Sequence, residues 1–147
     1  MKKLFVSTVV VLIFMTSLFA QYKPAPAYQV SQMVSMACFF EKNISTQTEC
    51  NIYVYNNDDI QKAIASFKGQ KLGNATLKSL ESGNTVPVNK PDIILIGDKR
   101  NFAEILAYCN DNDVLSLTNI PELVKKGVTL GMGVEVSSGT PKLLINP

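Results

Sequence analysis

The sequence predicts an α/β protein with a Rossmann-like, doubly wound, mostly parallel sheet, helices on both faces and a C-terminal antiparallel hairpin. Three observations predict it. Strand-like and helix-like runs alternate through the middle of the chain. The run Ile93-Ile94-Leu95-Ile96 is apolar without alternation, as a strand covered on both faces must be. The closing stretch GVTLGMGVEVSSGTPKLLINP, residues 127–147, carries two β-rich runs around Ser137-Ser138-Gly139-Thr140. The right-handed crossover rule then fixes the hand of the sheet.

The elements follow in chain order. AYQVSQMVSMACFFEKN (27–43) sets Val30, Met33, Val34, Ala37 and Phe40 at helical intervals and predicts a first helix. CNIYVY (50–55), with Ile52 and Val54 among aromatic neighbours, predicts a strand. NNDDIQKAIASF (56–67) turns through Asx residues into a helix with Ile60, Ala63, Ile64 and Phe67 on one face. GQKLGNATLKSL (69–80) reads as a short β segment turned or kinked at Gly73-Asn74, and ESGNTVPVNK (81–90) reads as loop. PDIILIGD (91–98) is the central strand, NFAEILAYC (101–109) a short helix and DVLSLTNI (113–120) another strand. PELVKKG (121–127) is a helix of one or two turns ended by Gly127. Val134 and Val136 alternate with Gly133 and Glu135, and Leu143, Leu144 and Ile145 follow Pro141, which gives the two strands of the closing hairpin.

A chain of 147 residues with 46% hydrophobic content buries about one ordinary core. Lys2 and Lys3, the apolar run LFVSTVVVLIFM (4–15) and the exit SLFA (17–20) read as a signal peptide over residues 1–20, cleaved after Ala20. The competing reading is an uncleaved membrane anchor over 4–20, at the lower edge of a spanning length; Ala20 and the PAPA stretch at 24–27 favour cleavage. No Cys follows the exit, so a bacterial lipid anchor is not expected. Residues 21–27 form a proline-rich lead-in, and 28–147 a single α/β domain. Of the 14 basic residues, Lys2 and Lys3 leave with the leader, so the mature chain balances 12 basic against 12 acidic residues. A neutral domain has no long-range field for nucleic acid or anionic lipid, and no direct membrane insertion is expected once the leader is gone.

The chain contains no His, which excludes Ser-His, Cys-His and His-metal arrangements. No general base with a near-neutral intrinsic pKa is left; no catalytic residue and no cofactor are assigned, and an enzyme ranks behind a binding protein. Asp58 and Asp59 follow the first strand and Asp98 follows IILIG, so the three carboxylates, joined by Thr118, are weak candidates for a divalent cation at the carboxyl ends of the strands. The set looks like the acidic pocket of response-regulator receiver domains, but no lysine closes the following strand. The favoured reading is that Asn57, Asp58 and Asp59 cap the second helix while Asp98 ends a strand. Gly127, Gly131 and Gly133 lack the strand-loop-helix order of a phosphate loop and mark bulges or close approaches instead. Asn43-Ile44-Ser45 and Asn74-Ala75-Thr76 match glycosylation sequons without further support. Met33, Met36, Phe39 and Phe40 read as core, with a partner-binding face as the lesser reading.

Three cysteines in an exported chain predict one bridge and one leftover thiol, and their spacing matches no zinc pattern. Cys50 opens the first strand and Cys109 closes a helix running back to the same edge of the sheet, so Cys50–Cys109 is the expected pair. Cys38–Cys50 is the rival, because the first helix feeds directly into that strand; three free thiols is the third possibility.

From Cys50 to Asn146 the order of features resembles the YfiR family of small periplasmic proteins. The carrying residues are CNIYVYNNDDIQKAI, the spacing of Gly69, Leu72 and Asn74 leading to Leu77 and Leu80, PDIILIGD, VLSLTN, and GVTLGMGVEV with LLIN. AYQVSQMVSMACFFEKN fits the family's opening helix. The resemblance implies a non-enzymatic regulator that binds and restrains a membrane-bound diguanylate cyclase, lowering cyclic di-GMP signalling and biofilm formation, with disulfide redox state tuning it. Cys50 matches a family cysteine, but its family partner position before the central strand is Lys90-Pro91 here. Family chains also usually continue past the strand matching LLIN.

The expected partner is the periplasmic domain of an inner-membrane signalling protein, and a homodimer is possible through the same surfaces. The closing hairpin would extend the sheet and present its edge. The alternative is a small-molecule-binding lobe similar to half of a periplasmic solute-binding protein, with its crevice near Asp58, Asp98 and Thr118.

Overall fold

A computed structural model describes residues 21–146. The signal peptide and its cleavage after Ala20 lie outside the described residues. The chain is mixed α/β, with one mostly parallel sheet and helices packed against it. In chain order the elements are β1 (Tyr22–Pro24), α1 (Ala27–Phe40), α2 (Lys42–Ser45), β2 (Glu49–Tyr55), α3 (Asp58–Ala65), β3 (Lys71–Leu72) and β4 (Ala75–Gly83). Then come β5 (Ile93–Ile96), α4 (Phe102–Asn112), β6 (Leu115–Thr118), α5 (Pro121–Val124), β7 (Leu130–Glu135) and β8 (Pro141–Ile145).

Five strands, β4-β2-β5-β6-β7, run parallel and form the body of the sheet. Numbered in chain order they stand 2-1-3-4-5, so the direction of winding reverses between β2 and β5. Antiparallel strands finish both margins: β3 on β4, and β1 and β8 on β7. Gly133 and Val134 pair with both β1 and β8, while Leu130 and Gly131 pair with both β6 and β8. β8 therefore runs along one edge of β7, and β6 and β1 share the other end to end. Ala25 N–H donates to the Asn119 carbonyl at 3.1 Å where those two strands meet.

The alternation of β5 shows why its sequence is continuously apolar. Ile93 and Leu95 enter one core with Ile52 and Val54 of β2, while Ile94 and Ile96 enter a second with Tyr53 and Tyr55. All four β5 residues are fully buried. The first core is closed by α1 and α3, through Val30, Met33, Val34, Ala37, Cys38, Ile60 and Ile64. The second is closed by α4 and α5, through Ile105, Leu106, Cys109 and Leu123. Each core removes large apolar side chains from water, worth about 1.5–3 kcal/mol for each full burial.

Local readings are revised at four places. Residues 22–24 form a strand, because the proline of β1 sits at a short margin strand where its missing N–H costs no central ladder bond. The segment from 69 to 83 splits into β3 and β4 at Gly73, whose φ of +65° is left-handed. β4 runs on to Gly83, through residues with loop composition, because β2 offers a parallel partner as far as Tyr55↔Gly83. On α1 the buried register is Val30, Met33, Val34, Ala37, Cys38, which passes over Phe40; that ring is 83% exposed at the last helical residue. Phe39 is also exposed, Met36 is half-buried, and Met33 alone of that group is fully buried.

Candidate functional site

The carboxyl ends of β2 and β5 flank the winding reversal, the usual ligand position in open α/β sheets. Here the chain fills that position with its own side chains. Asn57 is the N-cap of α3, its Oδ1 accepting from Ile60 N–H at 3.0 Å. Its Nδ2 donates to the Gly97 carbonyl at 3.2 Å. The fit is tight enough that a Cβ at Gly97 would fall 2.3 Å from the Asn57 Cβ, so only glycine ends β5 without displacing the cap.

The carboxylates come from two segments, the first turn of α3 and the turn after β5. Asp58 and Asp59 occupy the first turn of α3 and are exposed, where negative charge complements the helix dipole. Asp98 is held by Arg100, whose backbone N–H reaches Oδ1 at 2.8 Å while Nε and Nη2 reach Oδ2 at 2.9 and 2.6 Å. Asn56 Nδ2 adds a bond to Oδ2 at 2.8 Å, made from a backbone with φ +55°. These bonds from Arg100 lower the Asp98 carboxyl below its ordinary value. Thr118 is fully buried; its Oγ1 donates to the Ile96 carbonyl at 2.7 Å and accepts from Ile120 N–H at 3.0 Å. It clasps two strand ends and turns the chain into α5. Among the described residues no group of three His, Cys, Asp or Glu is placed to hold a metal ion. Of the weak metal candidates, Asp58 and Asp59 are first-turn residues of α3 and Asp98 is an ion-paired residue just past β5.

All three cysteines are buried free thiols. Cys50 and Cys109 both lie toward the amino-terminal edge of the parallel strands, but on opposite faces: Cys50 belongs to the α1 core and Cys109 to the α4 core. The structure therefore brings Cys38, and not Cys109, into the core that holds Cys50, close enough that each thiol shifts the other's titration. Helix-end proximity along the chain suggested this neighbour, but the face that α4 takes could not be read from spacing. Burial pushes the Cys109 thiol up to about 12.

The open surface is the β8 margin. The bonds from Glu135 N–H to Thr140 O and from Asn146 N–H to Thr129 O fix the hydrogen-bonded pairs of the β7–β8 ladder. By that alternation Lys142 and Leu144 bond inward, while Leu143 and Ile145 turn N–H and C=O outward and Pro141 turns out a carbonyl alone. β7 is the one partner of β8 among the described residues. The side chains there are apolar and open to solvent: Val136 is 61%, Leu143 41% and Ile145 64% exposed. Beside them lies a groove of about 410 Å³ lined by Tyr22, Pro121, Glu122, Val124, Lys125, Leu143, Leu144 and Ile145. A strand edge with unspent backbone groups and apolar flanks is suited to pairing with another polypeptide.

No curated protein and no solved structure matches the chain. Among the described residues, no helix is long and apolar enough to cross a membrane. Residues 28–147, most of the chain, match the family described as YfiR/HmsC-like. A match of that extent, running from the first turn of α1 through the β8 margin, makes this chain a member of the YfiR/HmsC-like family.

Proposed function

We propose that the protein is a periplasmic, non-enzymatic regulator that binds and restrains the outer domain of an inner-membrane diguanylate cyclase, and so lowers cyclic di-GMP signalling. The observation that carries this reading is membership of the YfiR/HmsC-like family across residues 28–147. The geometry supplies a surface for it: the outward backbone groups of Leu143 and Ile145, with exposed Val136 beside them. Residues 1–20 are read as a signal peptide that delivers the domain to the periplasm. The arrangement is read as a Rossmann-like, doubly wound sheet whose closing hairpin, β7 and β8, is the docking element. The solute-binding alternative loses support because Asn57 occupies the reversal point where a ligand would lie.

The test is capture of partners from detergent-solubilised inner membranes by the mature protein. Recovery of a diguanylate cyclase is expected. A thermal shift with amino acids or sugars, and no protein partner, would move the assignment to the solute-binding lobe.

A further inference from the structure

We infer that Cys38 and Cys50 are the site of an intramolecular disulfide that staples α1 to the amino-terminal end of β2. Both side chains are fully buried in the same core. Cys38 lies in the last turn of α1 and Cys50 is the second residue of β2, separated by α2 and a short turn. The end of α1 is already fixed over the sheet, since a Cβ at Gly73 would fall 2.9 Å from the Cys38 Cβ and 2.7 Å from the Ser35 carbonyl oxygen. Cys50 stands opposite Leu77, with a register shift immediately after it that ends the regular ladder at the cysteine. Cys109 is on the other face and does not compete.

The chemistry balances with one co-reactant, the disulfide of a thiol–disulfide oxidoreductase or oxidised glutathione. The two thiols lose two protons and two electrons, one S–S bond forms, and the oxidant's disulfide is reduced to two thiols. One cysteine thiolate forms the mixed disulfide, and the sulfur of the other displaces the oxidant's thiol. Neither sulfur reaches water in the folded chain, so the bond closes during folding, before α1 seats.

The inference rests on the exported reading, because the cytosol keeps thiols reduced. Its test therefore uses two sources of protein. The full chain is unfolded, reduced and refolded in glutathione buffer, and separately the protein is recovered from the periplasm; both are alkylated in denaturant and mapped without reductant. A bridged Cys38–Cys50 peptide with Cys109 alkylated is expected in both. Reductant should lower the melting temperature by roughly 10 °C in the parent and in Cys109→Ser, but not in Cys38→Ala. A Cys50–Cys109 peptide, or three alkylated thiols in the refolded or the periplasmic protein, overturns the inference. A bridge in the refolded chain, with cellular protein found reduced in the cytoplasm, supports the pairing and sinks the export reading.

Discussion

Gly97→Ala tests whether the reversal point of the sheet is a packed joint. A Cβ at position 97 meets the Asn57 Cβ at 2.3 Å, well inside van der Waals contact, and Gly97 is not among the residues with positive φ. The penalty is thus steric, and overpacking of this kind costs about 1–3 kcal/mol. Asn57→Gly removes the bond to the Gly97 carbonyl, about 0.5–1.5 kcal/mol, and exchanges one acceptable N-cap for another at a few tenths more. If the two sites were independent, the double variant would lose about 2–5 kcal/mol. With the Asn57 side chain gone, however, the new methyl has room, so the double variant should lose little more than Asn57→Gly alone. Urea denaturation of the four proteins measures this as a coupling of at least about 1 kcal/mol, with an unchanged m-value. Additive losses within about 0.5 kcal/mol would refute the packed joint and reopen the crevice as a ligand site.

Three further outcomes follow from the same geometry. Asp98 titrates below its ordinary value in the folded chain, so its ionised form contributes stability that is complete above the unfolded carboxyl value, about 3.9, and is lost as pH falls through the folded one; Arg100→Ala should raise the Asp98 titration seen by NMR, and an unmoved titration would contradict the role given to Arg100. Millimolar Mg²⁺ or Ca²⁺ should leave the melting temperature unchanged, whereas a rise of several degrees that vanishes in Asp98→Asn would restore the acidic cation site. Ile145→Lys, at an exposed margin position, should change stability by no more than about 0.5 kcal/mol while abolishing partner capture; retained capture would remove β8 from the interface.

The elements that could be read from sequence are those whose cause is local. Ile93-Ile94-Leu95-Ile96 announces a doubly covered strand because both faces must be apolar, and Asn57 announces α3 because a cap needs an oxygen acceptor at that spot. β1 could not be read, since its strand character comes from pairing with Gly133, Val134 and Glu135 more than a hundred residues away. The same holds for Glu81, Ser82 and Gly83, which are strand because β2 extends beside them. Asp98 lies just past the end of β5, but its Arg100 clamp depends on a turn that spacing does not specify. For the cysteines, position along the sheet was legible and the face was not: Cys109 follows α4 to the second core, while Cys38 follows α1 to the first.

The central claim, restraint of a diguanylate cyclase through the β8 margin, is tested most directly by cellular cyclic di-GMP in a strain lacking this protein. Removal should raise the nucleotide, and the parent chain supplied in the periplasm should bring it back down while the Ile145→Lys chain, present at equal abundance, should not. A level that does not change on removal, or that both chains restore equally, would contradict the account.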